Sequence, residues 1–123
     1  MIQLARMIPQ LRTTNMAAAV EFYTAVLGFR LVFLYDDFYG GLQSGEFMLH
    51  LKLVDERDPS IDYVDRGDHL HLYLETSGVE AIAAALKARG VALVRDLHDT
   101  PWRTRECVVR DPDGHTLYFG QPL

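Results

Sequence analysis

Two stretches carry the same pattern: TNMAAAVEFYTAVLGFRLV at residues 14–32 and TSGVEAIAAALKARGVALV at residues 76–94. They align without a gap, and the identical pairs are Thr14 and Thr76, Ala19 and Ala81, Gly28 and Gly90, Leu31 and Leu93, and Val32 and Val94. In each stretch Thr with Asn or Ser marks a helix start and Gly marks its end. Apolar residues recur between these marks at helical spacing. Each stretch therefore predicts a helix that runs into a strand.

Further strands are predicted around both helices. MIPQLRT at residues 7–13 precedes the first helix, and FMLHLKL at residues 47–53 follows it. HLHLYLE at residues 69–75 precedes the second helix, and ECVVR at residues 106–110 and TLYFG at residues 116–120 follow it. Apolar and polar residues alternate in these segments, as in a half-buried strand. The order predicts an α+β fold, a duplicated βαβββ unit.

The chain length fits a single domain, residues 1–123. Within it we expect one βαβββ unit over residues 4–54 and a second over residues 69–122. The segment DERDPSIDYVDRGD at residues 55–68 is charged and contains Pro and Gly. It is predicted to link the two units.

Composition excludes several classes of protein. The formal net charge of −5 lacks the basic excess of a nucleic-acid binder. No apolar run is long enough to cross a membrane, and the N-terminal residues lack the apolar core of a signal peptide. Cys107 is the only cysteine, so no intrachain disulfide can form. We therefore expect a cytoplasmic protein with no nucleic-acid or membrane partner.

One face of the predicted sheet carries polar and aromatic side chains. The Leu- and Phe-rich sides of the strands should face the helices. The opposite sides then carry Ile8, Gln10, Arg12, Met48, His50, Lys52, His69, His71, Tyr73, Thr116 and Tyr118. If the half-sheets curve toward each other as one mixed sheet, these side chains line a cavity suited to a small molecule.

The last two predicted strands are joined by DPDGH at residues 111–115. Pro, Asp and Gly favour a tight turn, which would determine the register of the final strand. His115 and His98 are expected to lie in turns. Neither is predicted to have a functional role.

Three segments together resemble the vicinal oxygen chelate superfamily, which includes glyoxalase I, extradiol dioxygenases, fosfomycin resistance enzymes and bleomycin resistance proteins. They are LRTTNMAAAVEFYTAVLGFRLVF, HLYLETSGVEAIAAALKARGVAL and RECVVRDPDGHTLYFGQP. The resemblance spans residues 4–122. It implies paired βαβββ units around a cavity, the glyoxalase/bleomycin resistance fold. Because this scaffold serves many chemistries, it does not by itself determine the function.

The glyoxalase-like members of the superfamily bind one divalent ion, and the resemblance places their ligand positions at Ile8, His50, His71 and Tyr118. Ile8 cannot bind a metal. Tyr118 stands where the metalloenzymes usually carry Glu, and a neutral phenol is a poor ligand. We therefore expect no metal cofactor. The alternative is a divergent metal-dependent lyase, isomerase or dioxygenase that holds a divalent ion with His50 and His71.

The bleomycin-resistance branch matches better, through PWRTRECVVRDPDGHTLYFGQP at residues 101–122. It implies a homodimer that sequesters an aromatic, cationic molecule without metal, and thereby antibiotic resistance without any reaction. It also implies exchange of the N-terminal strand between subunits, with Pro9 at the bend. A third alternative is a metal-independent enzyme with His71 as general base. The sequence is compatible with an enzyme and with a binding protein that catalyses no reaction.

The predicted ligand contacts are of two kinds. Polar contacts are assigned to His50, His71 and Tyr118, and Trp102 with Tyr35 or Phe38 is expected to stack on the ligand. Met48, Tyr73 and Arg12 complete the predicted site, and Phe33 and Tyr39 extend its aromatic wall.

Overall fold

The computed structural model describes residues 1–123. The strands are β1 (Gln10–Thr13), β2 (Arg30–Tyr35), β3 (Tyr39–Ser44), β4 (Phe47–Leu53), β5 (Leu72–Glu75), β6 (Arg95–Asp99), β7 (Thr104–Arg110) and β8 (Thr116–Pro122). The helices are α1 (Met16–Glu21), α2 (Ser60–Arg66) and α3 (Val79–Ala88), and α1 continues as a π-helical segment over Phe22–Val26. The predicted α+β fold with a duplicated βαβββ unit is confirmed.

The chain divides into two compact units, residues 1–58 and residues 59–123. Each contains a four-stranded mixed sheet, with strand order β1-β4-β3-β2 in the first and β5-β8-β7-β6 in the second. In both sheets the first strand is parallel to its neighbour, and the other pairs are antiparallel. The same topology therefore occurs twice.

The capping residue and the glycines predicted from the sequence lie at the ends of the helical segments. Asn15 caps α1 by accepting a hydrogen bond from the Ala18 N–H at 3.1 Å. Gly28 and Gly90 follow the helical segments with φ of 80° and 79°. This left-handed conformation costs glycine little, which explains why both helical segments end there.

The apolar side of each sheet is covered by its helix. In the first unit α1 packs against β4, and its buried residues are Met16 and Ala19. In the second unit α3 packs against β6, β7 and β8. The side chains buried there include Val79, Ala83, Leu86, Cys107, Val109, Leu117 and Phe119. The polar side of each sheet is the side that its helix does not cover.

Residues 55–68, predicted to be a linker, contain the helix α2. Ile61 and Val64 are buried, and α2 packs against β8. These two residues lie three positions apart and therefore share one face of the helix. Because most of the surrounding residues are charged, the sequence did not indicate this short apolar face. The strand predicted to begin at His69 starts only at Leu72, because the His69 N–H is bonded to the Val64 carbonyl at 3.0 Å.

None of the helices is both long and apolar enough to span a membrane.

Candidate functional site

The polar face of the first sheet carries an aromatic cluster around His50. The register pairs His50 with Gln10 on β1 and with Gly41 on β3. Phe33 lies over Gly41, where a Cβ would come within 2.2 Å of its ring. The rings of Phe33 and Tyr39 stack, and His50 meets both edge-on. This glycine therefore makes room for the ring that packs beside His50.

Hydrogen bonds hold this cluster together. Gln10 Nε2 donates to Tyr39 Oη at 2.9 Å, and Tyr39 Oη lies 3.1 Å from His50 Nδ1. Tyr39 and Phe33, which the sequence assigned only to an aromatic wall, are thus direct partners of His50.

Of the other predicted residues of the first unit, Arg12, Tyr35 and Phe38 are exposed. Arg12 on β1 lies 3.9 Å from the Asp58 carboxylate, and Met48 is half-buried on β4. Tyr35 and Phe38 flank the β2–β3 turn, and both are exposed. Their roles as ligand contacts stay predictions.

The polar face of the second sheet carries Tyr73 and Tyr118. These residues are register partners on β5 and β8, with ring centroids 6.3 Å apart. Val108 of β7 is paired with Tyr118, and Glu106 is paired with Gly120. The two tyrosines and Glu106 therefore lie on one face of one sheet.

Glu106 is the centre of a buried polar cluster that the sequence reasoning missed. Only 3% of its surface is exposed. Its Oε2 accepts hydrogen bonds from Tyr73 Oη at 2.7 Å and from Thr104 Oγ1 at 3.0 Å. Its Oε1 lies 3.9 Å from His98 Nε2. His98, expected in a turn, lies in β6. The sequence does place Thr104, Glu106 and Val108 at alternate positions of one strand, so they are predicted to share one face of the sheet.

Both tyrosines of this face have raised pKa values. Burial, the hydrogen bond to Glu106 and its negative charge raise the pKa of Tyr73 to about 12. Burial and the charges of Asp68 and Glu106 raise the pKa of Tyr118, against an opposing effect of Arg95. Both side chains are therefore neutral phenols at neutral pH, able to donate hydrogen bonds and to stack.

A cleft of about 190 Å³ opens beside Tyr118 within the second unit. It is lined by Val64, Asp65, Asp68, His69, Val94, Arg95, Val108, Arg110, Thr116 and Tyr118. Charged, aromatic and apolar groups thus meet at a concave surface. Trp102 lies in the β6–β7 turn with 69% of its surface exposed, and its stacking role stays a prediction.

His71 is held by two hydrogen bonds that determine its tautomer. The backbone N–H of Thr116 donates to Nδ1 at 3.0 Å, so Nδ1 accepts and is unprotonated. The proton of the neutral ring is then on Nε2, which donates to Ser60 Oγ at 3.1 Å. Binding a metal, or taking a proton as a general base, needs a lone pair that this arrangement does not offer. The residues present therefore do not fit a divalent ion at His71.

His115, expected to be a plain turn residue, is buried against His71. The two rings meet edge-on with centroids 4.8 Å apart. Asp111 Oδ1 accepts the backbone N–H groups of residues 113, 114 and 115 at 2.9–3.1 Å, and its Oδ2 lies 2.7 Å from His115 Nδ1. Asp111, Asp113 and His115 have ligand atoms within 4.8 Å of one another. Since the Asp111 oxygens already bind the turn, we interpret this cluster as a structural support for β8 and His71.

Comparison with known proteins agrees with this topology. A sequence profile of the Glyoxalase/Bleomycin resistance protein/Dioxygenase superfamily matches residues 4–119. The chain belongs to this superfamily. The predicted resemblance is therefore confirmed. Among curated proteins, none is significantly similar to this sequence.

Solved structures of the same fold include proteins of different activities. TioX from Micromonospora sp. ML1 is 24% identical with a TM-score of 0.78, covering 97% of this chain and 99% of TioX. The bleomycin-binding protein from Streptomyces verticillus, solved with copper(II)-bleomycin, is 23% identical with a TM-score of 0.73, covering 97% of each chain. Lactoylglutathione lyase from Agrobacterium tumefaciens is 18% identical with a TM-score of 0.76, covering 97% of this chain and 95% of the lyase. At such identities the likeness concerns the fold alone.

Proposed function

We propose that this superfamily member is a small-molecule binding protein that holds an aromatic, cationic ligand without a metal and without a reaction. The observation that carries the proposal is the pair of neutral tyrosines on one sheet face. Tyr118 lines the cleft, and Tyr73 donates a hydrogen bond to the buried carboxylate of Glu106. Phenol rings offer flat surfaces to an aromatic ligand, and the carboxylate offers a negative charge. The net charge of −5 would favour the approach of a cation.

The other residues predicted from the sequence are proposed as ligand contacts, each within its own unit. In the first unit His50 and Arg12 would contribute polar groups, and Met48, Tyr35 and Phe38 would contribute apolar or stacking surface. In the second unit Trp102 would contribute stacking surface. Both ring nitrogens of His71 are hydrogen-bonded, to Ser60 and to Thr116. We therefore expect His71 to contact the ligand through its ring and not through a hydrogen bond.

The bleomycin-binding structure supports a test with one specific ligand. If the protein confers antibiotic resistance by sequestration, metal-free bleomycin and copper(II)-bleomycin should each give a saturable heat in calorimetry. Tyr118→Ala should weaken that binding about tenfold, since aromatic contact and buried area are lost. Phe47→Ala, which removes an exposed ring on the helix-facing side of β4, serves as the matched control. Absence of binding by planar aromatic cations in general would contradict the proposal.

Metal content distinguishes the competing metalloenzyme proposal from metal-free binding, and the same protein preparation can be used to measure it. Metal analysis of protein purified without a histidine tag should show less than stoichiometric divalent metal. Stoichiometric metal that disappears in His71→Ala would favour the lyase, isomerase or dioxygenase alternative. It would require His71 to exchange its Thr116 hydrogen bond for the metal.

We also propose a cytoplasmic homodimer with an exchanged N-terminal segment. Ile2, Leu4 and Met7 are exposed, and a second copy could cover these apolar side chains. The free, buried Cys107 suits a reducing compartment. Sedimentation at micromolar concentration should give a dimer, and deletion of residues 1–7 should shift it toward a monomer. A monomer of the chain with residues 1–7 intact would argue against the exchange.

A further inference from the structure

Glu106 is a buried carboxylate whose hydrogen-bonding partners are all uncharged. Tyr73 and Thr104 both donate to Oε2, and both are neutral. The neighbouring Arg105 pairs with Asp99 and Glu80 instead. Burying a carboxylate is costly unless a positive charge or enough hydrogen bonds compensate it. The cluster therefore has an excess of negative charge and of acceptor atoms.

The second carboxylate oxygen faces another acceptor. His98 Nδ1 lies 2.9 Å from the Asp96 carbonyl oxygen, which can only accept, so Nδ1 carries a proton. In the neutral ring Nε2 then presents its lone pair. This nitrogen lies 3.9 Å from Glu106 Oε1, beyond hydrogen-bond length. Two acceptors thus face each other without a hydrogen bond between them.

We propose that Glu106 Oε1 and His98 Nε2 together receive a cationic N–H group, an ammonium or amidinium, of the bound ligand. This inference rests on the proposed binding function and assigns the subsite for the positive charge. A nitrogen about 2.9 Å from each acceptor fits across their separation and hydrogen-bonds to both. The aromatic body of the ligand then lies along the face of Tyr73 and Tyr118.

A metal ion fits this subsite less well than an N–H group. Protein metal sites usually use three or four ligands, and this one offers a carboxylate and one imidazole. Thr104 Oγ1 already donates to Oε2, and Tyr73 is a neutral phenol. A charge-assisted hydrogen bond needs only the acceptors that are present.

Benzamidinium and benzamide form a matched pair of probes, since both are planar and aromatic and only the first is a cation. Calorimetry on the wild-type protein should show benzamidinium binding at least about tenfold more tightly than benzamide. Glu106→Gln should remove most of that preference. Glu80→Gln, a carboxylate change on α3, is the control and should retain it.

The outcomes separate this inference from the proposed function. Equal affinity of the wild-type protein for both probes would overturn the Glu106 subsite and leave aromatic ligand binding intact. No binding of either probe at about 1 mM, where so small a ligand should bind, would overturn both proposals. The wild-type comparison needs no variant, so it stands even if Glu106→Gln fails to fold.

Discussion

Replacing Asp111 by alanine should lower the free energy of unfolding by about 3–5 kcal/mol, because one buried carboxylate supports the whole turn before β8. Only 5% of Asp111 is exposed. The change removes the side-chain acceptor of three backbone N–H groups and of His115 Nδ1. The Gly114 N–H keeps the Asp111 backbone carbonyl oxygen as an acceptor at 2.9 Å. Chemical denaturation monitored by circular dichroism measures the loss.

Two further variants identify the cause. Asp111→Asn keeps an oxygen for the backbone N–H groups but loses the charge, so it should cost less than Asp111→Ala. Glu46→Ala, at an exposed turn between β3 and β4, should change stability by less than about 0.5 kcal/mol. An Asp111→Ala protein as stable as the Glu46→Ala control would show that the turn does not need its carboxylate.

Replacing Gly120 by alanine should lower the free energy of unfolding by about 2–4 kcal/mol and displace Tyr73 from Glu106. A Cβ at this position would lie 1.8 Å from Tyr73 Oη, so the ring has to move. Glu106 then loses one of its two hydrogen bonds. The pKa of Tyr73 should fall from about 12 toward its ordinary value, and absorbance titration of the tyrosines measures this.

A double-mutant cycle tests this contact directly. In a Tyr73→Ala background, Gly120→Ala should cost much less than it does alone, because the ring that it strikes is absent. Gly78→Ala is the control, since its Cβ would meet nothing within 4 Å. It should change stability by no more than about 1 kcal/mol, the difference between Gly and Ala at a helix N-cap. Additive costs of Tyr73→Ala and Gly120→Ala would contradict the predicted clash.

Several site residues follow from alternation within single strands. Met48 and His50 on β4, and Tyr118 on β8, are half-buried while their neighbours Leu49 and Leu117 are buried. This pattern is readable because a strand turns successive side chains to opposite faces. Alternation did not reveal the environment of each side chain, since that depends on the neighbouring strands.

The sequence by itself determined the duplicated βαβββ order, because glycine stops, helix caps and strand alternation are local properties of neighbouring residues. Only the tertiary structure decided the chemistry of the candidate site. Glu106 meets Tyr73 across Gly120, and His71 receives its hydrogen bond from Thr116, a residue distant in the chain. Such contacts depend on which strands pair and in what register. The sequence of one strand does not show which strand it pairs with.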